Sequence, residues 1–258
     1  AIWLLSQIGG SGLNAVEALL KHDDAQTRIV AYRALRRQNH KFWEISAELA
    51  SDPSMAVRRE VALAMRNHSF EKTHKILLEI ARGFDGKDRW YLEALGTACA
   101  KKEKEMYDYL HTNLLPGSAL SWSPAFAKIA WRLHQPAALS DFRKRAFAEE
   151  LSFEDRKENL VAIAFTDTQQ AAELMLEVAN EGPADTKELA TWWVNNKNRS
   201  TWQTYNLTAK LSTKATKKKT LDLSKHLTKS NGKLPSIKEL LKLKGDAKKG
   251  EAILHGKA

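Results

Sequence analysis

From Ile2 to about Trp193, apolar residues recur at spacings of three and four, the period that gathers side chains into one stripe along an α-helix. One segment reads Arg28, Ala31, Ala34-Leu35, and the next reads Arg58, Val61, Ala64-Met65. Alternation at period two is nearly absent and β-branched residues are sparse, so the pattern predicts helices and no sheet. Breaks fall at Gly9-Gly10-Ser11-Gly12, Asp52-Pro53, Gly83-Phe84-Asp85-Gly86, Pro116-Gly117, Ser123-Pro124 and Gly182-Pro183. Asp52 before Pro53 fits an N-cap followed by Pro at the first helical position, where its missing N–H costs nothing. The glycines at 9–12 follow a helical pattern and lack the Lys-Ser/Thr of a phosphate-binding loop, so they read as a turn between helices.

The helices repeat. The unit is an Arg, three residues on a small or aliphatic group, three further on an Ala, then an aliphatic. It fits Arg28/Ala31/Ala34/Leu35 and Arg58/Val61/Ala64/Met65. It fits more loosely at Arg89/Leu92/Leu95 and, without the Arg, at Ala127/Ala130. It returns at Arg156/Asn159/Ala162/Ile163 and decays at Lys187/Ala190/Trp193. With Pro124 opening the fourth unit, the starts lie 30, 31, 35, 32 and 31 residues apart. Such a period, with two helices per unit, predicts an all-α fold, an α-α superhelix of about six helical hairpins over residues 1–196. The pattern resembles HEAT-like or armadillo-type solenoids. Arg28, Arg58, Arg89 and Arg156 are then the recurring structural cations. The acids a turn earlier (Asp23 or Asp24, Asp52, Asp85) are positioned to cap the second helix of each unit or to pair with a neighbouring Arg.

Trp3, Trp43, Trp90, Trp122, Trp131 and the Trp192-Trp193 pair fall mostly within helical units, where large aromatics fill the core. Adjacent Trp192 and Trp193 cannot share one stripe, so one of them meets something else. Lys87-Asp88-Arg89-Trp90-Tyr91, after Gly86, is unusually dense in charge and aromatics at a helix start. With Trp192 and Trp193 it forms the candidate interaction surface; a self-satisfied Asp88–Arg89 network is the alternative reading.

Charge changes the picture only at one end. The formal net charge is +10, yet residues 197–258 hold sixteen Lys+Arg against four Asp+Glu, which leaves residues 1–196 slightly acidic. Beyond Arg199 every basic residue is Lys, a hydrated point charge, whereas Arg is the side chain suited to bidentate phosphate contacts. Residues 197–233, rich in Thr, Ser and Lys with little apolar content, read as a linker or loosely docked helices. An acidic partner for this tail is the alternative. Helical pattern resumes over 234–258, at Leu234-Pro235-Ser236-Ile237 and again after Gly245-Asp246-Ala247.

Chemistry is harder to find. The single Cys, Cys99, excludes an internal disulfide and any multi-Cys zinc or iron–sulfur site, and reads as a small buried hydrophobe. The eight His are scattered: His68 and His74 stand six apart, and no HExxH or His/Cys cluster occurs. There is no nucleophile-elbow sequence and no apolar run long enough to span a membrane. No catalytic, cofactor-binding or metal-binding residue is therefore nominated, and the chain is read as non-enzymatic. The opening Ala1-Ile2-Trp3, without Met, reads as the start of a piece of something longer.

The ending carries the most specific clue. Gly245-Asp246-Ala247-Lys-Lys-Gly250-Glu-Ala252-Ile253-Leu254-His255-Gly256 resembles the opening helix of a class I c-type cytochrome domain, which leads within a few residues to Cys-x-x-Cys-His. The body resembles the repeat segment of large membrane-bound, haem-binding dehydrogenases of planctomycete-type bacteria. That resemblance rests on Trp3-Leu-Leu-Ser-Gln-Ile-Gly9-Gly10, on Asp85 to Gly96, and on Ser123-Pro124 with Trp131-Arg-Leu-His134. Trp192-Trp193 followed by Trp202 and Tyr205 adds to it. It implies a solenoid between a β-propeller, of the kind that uses pyrroloquinoline quinone, and a C-terminal cytochrome carrying covalent c-type haem. It implies an exported, periplasmic or membrane-associated bacterial protein whose partners are the flanking domains of the same polypeptide and an acidic redox protein. The haem motif would follow Ala258, so no cofactor residue maps onto this chain. Helical-repeat alkylpurine DNA glycosylases are the alternative resemblance, opposed by the near-neutral body; a general protein–protein scaffold is the other.

Overall fold

A computed structural model describes residues 1–211 together with Lys242, Gly245 and Asp246. The chain divides into a unit of residues 1–214 and a second from residue 215 onward. Everything below concerns the first. The 212–233 part of the expected linker and the expected cytochrome-like helices of 234–258 lie outside the described residues, apart from those three positions.

Among the described residues all regular structure is helical. Thirteen α-helices follow in order: α1 (Ile2–Ile8), α2 (Gly10–Ala18), α3 (Ala25–Arg37), α4 (Phe42–Leu49), α5 (Met55–Ala64), α6 (Phe70–Arg82) and α7 (Arg89–Ala98). Then come α8 (Glu103–Leu114), α9 (Pro124–Leu133), α10 (Leu139–Phe147), α11 (Phe153–Phe165), α12 (Gln169–Glu181) and α13 (Ala184–Lys197). The three-and-four spacing is what these helices bury. In α6 the covered residues are Thr73, Ile76, Leu77, Leu78, Ile80 and Ala81, one side of the cylinder.

Next-but-one helices touch. α3 meets α5, α5 meets α7, and contacts continue through α9, α11 and α13. On the other side α4 meets α6 and α6 meets α8, while α10 meets α12. Small residues at the repeated positions permit this approach: Ala31, Ala34, Ala130 and Ala162 are buried, and Ala64 is half-buried. The longest repeat spacing, 35 residues, has a local cause. Residues 115–123 insert a short 3-10 turn (Ala119–Ser121) that packs on α10. The turn at 9–12 joins α1 to α2 as the pattern predicts, and Gly12 is required there. A β-carbon on it would stand 2.1 Å from the Leu5 carbonyl oxygen.

The caps follow the sequence in part. Ser123 accepts from the Phe126 N–H ahead of Pro124, and Asp24 accepts from the Gln26 and Thr27 N–H groups. Asp52 does not cap in the expected way. α5 starts at Met55 with Ser54 at its N-cap, so Pro53 stands outside the helix. The Asp52 carboxylate accepts from Ser54 N–H (2.8 Å) and is committed elsewhere. Asp85 also organises a turn, accepting from Lys87 and Asp88 N–H groups, and Asp88 is the cap of α7.

Three of the four recurring arginines do the same job. Arg28, Arg58 and Arg156 each sit at the fourth residue of their helix (α3, α5, α11). Arg28 Nη1 donates to the carbonyls of His22 and Asp23 in its own loop. Its Nε and Nη2 both donate to Asp52, each at 2.8 Å, in the next loop. Arg58 donates to the Asp52 carbonyl behind it and the Gly83 carbonyl ahead. Arg156 donates to the carbonyls of Ala148, Glu149 and Leu151, and to the Asp185 carboxylate ahead. Each guanidinium straps one loop to the next, using the rigid fork that Lys lacks. Arg89 is the exception. It is the first residue of α7, where the fourth is Leu92, and its side chain lies exposed against Glu93 at 3.8 Å.

Lys102, between α7 and α8, carried no sequence signal. Its side chain is buried, and Nζ donates to the carbonyls of Met65, Arg66 and His68 beyond the end of α5. A cation there meets the negative pole of the helix. Burial holds its ammonium below the ordinary lysine value.

Candidate interaction surface

The Asp85 turn and the Asp88 cap fix the first turn of α7, and with it the direction of every side chain that follows. Gly86 has φ 76°, and a β-carbon on it would reach 3.0 Å from the Ala125 N of α9, so the loop lies directly on its neighbour. Asp88 accepts from the Trp90 and Tyr91 N–H groups and makes no pair with Arg89 among its hydrogen bonds. Lys87, Arg89 and Trp90 point outward. Trp90 is 73% exposed, so it does not take the core placement read for most of the tryptophans.

Tyr91 points the other way. Its ring is buried and stacks on Phe84 at 5.7 Å, and its hydroxyl donates to the Ile80 carbonyl while accepting from Arg58 Nε. Burial raises its phenol above the ordinary tyrosine value. It is a core and strap residue, not a surface one, because the N-cap turns its position inward.

Beside this turn lies a groove of about 270 Å³ between α7, α9 and α11. Phe84, Leu92, Trp131 and Val161 supply its apolar surface, and Lys87, Arg89, Lys128 and Lys157 its cations. The two acids there are Asp88 and Glu158, and Asp88 is already engaged as a cap. On the other side of Trp90 a shallower cleft is lined by Arg59, Leu63, Glu93, Ala94 and Thr97.

The two sequence-selected patches are linked by aromatic rings that were not singled out as a site. Trp131 meets His134 (5.6 Å between ring centroids), His134 meets Phe165 (5.8 Å), Phe165 meets Trp193 (6.1 Å), and Trp193 meets Trp192 (4.8 Å). Trp192 and Phe165 are about half exposed, while Trp193 packs against the core, the split expected for neighbours on a helix. His134 ends α9 in a left-handed conformation, φ 49°, and burial holds its imidazole below the ordinary histidine value. The run crosses three helices, so no local spacing announces it.

Of the remaining tryptophans, Trp122 and Trp202 are buried, Trp43 is half-buried, and Trp3 lies largely exposed on α1, contrary to a core role. Cys99 is fully buried and its thiol is pushed up to about 12 by that burial. Among the described residues no helix is long and apolar enough to cross a membrane, and no group of three His, Cys, Asp or Glu is placed to hold a metal ion.

Comparison of the chain with protein-family models, with curated proteins and with solved structures finds no match.

Proposed function

We propose that this chain is a non-catalytic α-solenoid of the HEAT-like kind, about six helical hairpins long, that works as a scaffold and interaction module. The observation that carries this is the repeated strap: Arg28, Arg58 and Arg156 each join one interhelical loop to the next at the same helical position. Stability in such an array comes from nearest neighbours, so it extends a surface without needing a closed core. That predicts a local response. In Arg156→Ala, amide hydrogen exchange accelerates in α11 to α13 while α3 to α5 keep wild-type protection; acceleration spread evenly over all helices would contradict a nearest-neighbour array.

The resemblance supplies the context: the scaffold stands between a catalytic propeller and a haem domain of one exported polypeptide. This chain does not itself fit covalent c-type haem, because attachment takes two cysteines and it has one, fully buried Cys99. The haem belongs, on this reading, to a domain beyond Ala258. Translation of the gene past that codon shows Cys-x-x-Cys-His within about ten residues, and the matured longer protein has a c-type visible spectrum. A stop codon or unrelated sequence removes the redox context and leaves the scaffold.

A further inference from the structure

We infer that the groove between α7, α9 and α11 docks a short acidic polypeptide segment from another protein, which places an apolar side chain against Leu92, Trp131 and Val161. This rests on the scaffold reading and adds the partner's chemistry to it. The groove has two features that such a segment needs together. Its walls offer aliphatic and indole surface in a recess of about 270 Å³, enough to enclose a large side chain and strip water from it. Its rim carries four cations against two acids, Asp88 and Glu158, and so is net cationic. Lys128 makes no ion pair among the described residues and Arg89 meets Glu93 only at 3.8 Å, whereas Lys87 lies beside the Asp85 carboxylate and Lys157 pairs with Glu154 at 3.2 Å. A carboxylate arriving there can pair with Lys128 and Arg89, the two least matched of the four. Trp90, 73% exposed, lies outside this groove and lines the neighbouring cleft with Arg59 and Leu63.

Charge excludes two other occupants. The chain's own C-terminal segment carries sixteen basic residues against four acidic ones, so from this molecule or a second copy it would bring Lys to a Lys-rimmed groove. A long nucleic acid needs an extended positive face, whereas residues 1–196 carry slightly more acids than bases. Four cations around an apolar recess suit a short acidic stretch with one apolar anchor.

The test uses the full chain and a fluorescein-labelled Asp/Glu-rich peptide with one central Phe, followed by anisotropy at about 0.1 M salt. Saturable binding is expected. It weakens roughly tenfold or more when the Phe becomes Gly, and again in the Lys87→Glu/Lys128→Glu variant. Lys75→Glu, a charge reversal on the exposed side of α6, leaves it unchanged. Equal affinity for the Gly peptide, equal loss in Lys75→Glu, or no saturable binding overturns the inference. So does tighter binding of a single-stranded oligonucleotide of the same length, which would make nucleic acid the partner. The exchange pattern of Arg156→Ala is read without any ligand, so a failed titration with that pattern intact removes the acidic segment and leaves the scaffold standing.

Discussion

Arg28→Ala destabilises the N-terminal repeats by about 3–5 kcal/mol, far more than an exposed ion pair is worth. The Arg28 and Asp52 side chains are nearly covered, and the guanidinium makes four hydrogen bonds, two to the carboxylate and two to carbonyls in its own loop. Truncation therefore leaves the Asp52 carboxylate buried with only the Ser54 N–H for company, and leaves the His22 and Asp23 carbonyls without their donor. Arg28→Lys recovers little, since an ammonium cannot span both carboxylate oxygens and both carbonyls at once. Replacing both partners by Leu costs less than the sum of the single truncations, because no charge is then stranded. The measurement is chemical denaturation of the full chain with exchange protection of α3 and α5 recorded alongside. A loss below about 1 kcal/mol for Arg28→Ala would mean that the strap is ornamental.

The strap also shows how far the sequence carries. Spacing nominates Arg28, Arg58, Arg89 and Arg156 together as structural cations, and the strap forms where the Arg is the fourth residue of its helix, in α3, α5 and α11. Arg89 keeps the spacing but not the position. Asp88 caps α7 one residue before it, and the fourth place falls to Leu92. A period near thirty tolerates such a slip of three residues, whereas hydrogen bonding does not. The same cap decides that Trp90 faces solvent and Tyr91 faces inward, a choice that composition cannot make. Lys102 was invisible for a different reason. Its three acceptors are backbone carbonyls more than thirty residues away, and a carbonyl leaves no mark on a sequence. Trp131, His134, Phe165 and Trp193 likewise meet only because three helices lie side by side. What spacing conveys is the stripe on each helix; what it omits is the rotation of one helix against the next.

The change of texture at residue 197, read as a linker or as loosely docked helices, sets the last prediction. Residues 201–211 are mostly polar, yet Trp202 and Leu207 are fully covered, and the turn Leu207–Lys210 packs on α12 and α13. The segment is pinned by few groups: Trp202 N–H on the Lys197 carbonyl (2.9 Å), Leu207 N–H on Asn198 Oδ1 (3.1 Å), and Asn180 Nδ2 on the Lys210 carbonyl (3.2 Å). Trp202 Nε1 finds no acceptor, so the indole contributes through packing and through Lys197, whose ammonium lies 5.7 Å from a ring centroid. Trp202→Ala is accordingly expected to cost about 3–5 kcal/mol, the range for emptying a large aromatic site. Trp202 and Leu207 are the fully buried apolar groups of the segment, with Tyr205 and Leu211 only partly covered, so losing the indole removes the larger share of its anchor. Residues 198–211 then detach, limited proteolysis cuts between them, and exchange rises at the exposed sides of α12 and α13. Trp202→Phe keeps most of the packed area and stays protected. If Trp202→Ala resists protease as the wild type does, the indole is not the anchor, and the segment is held by the other contacts it makes, among them the bonds to Asn198 and Asn180.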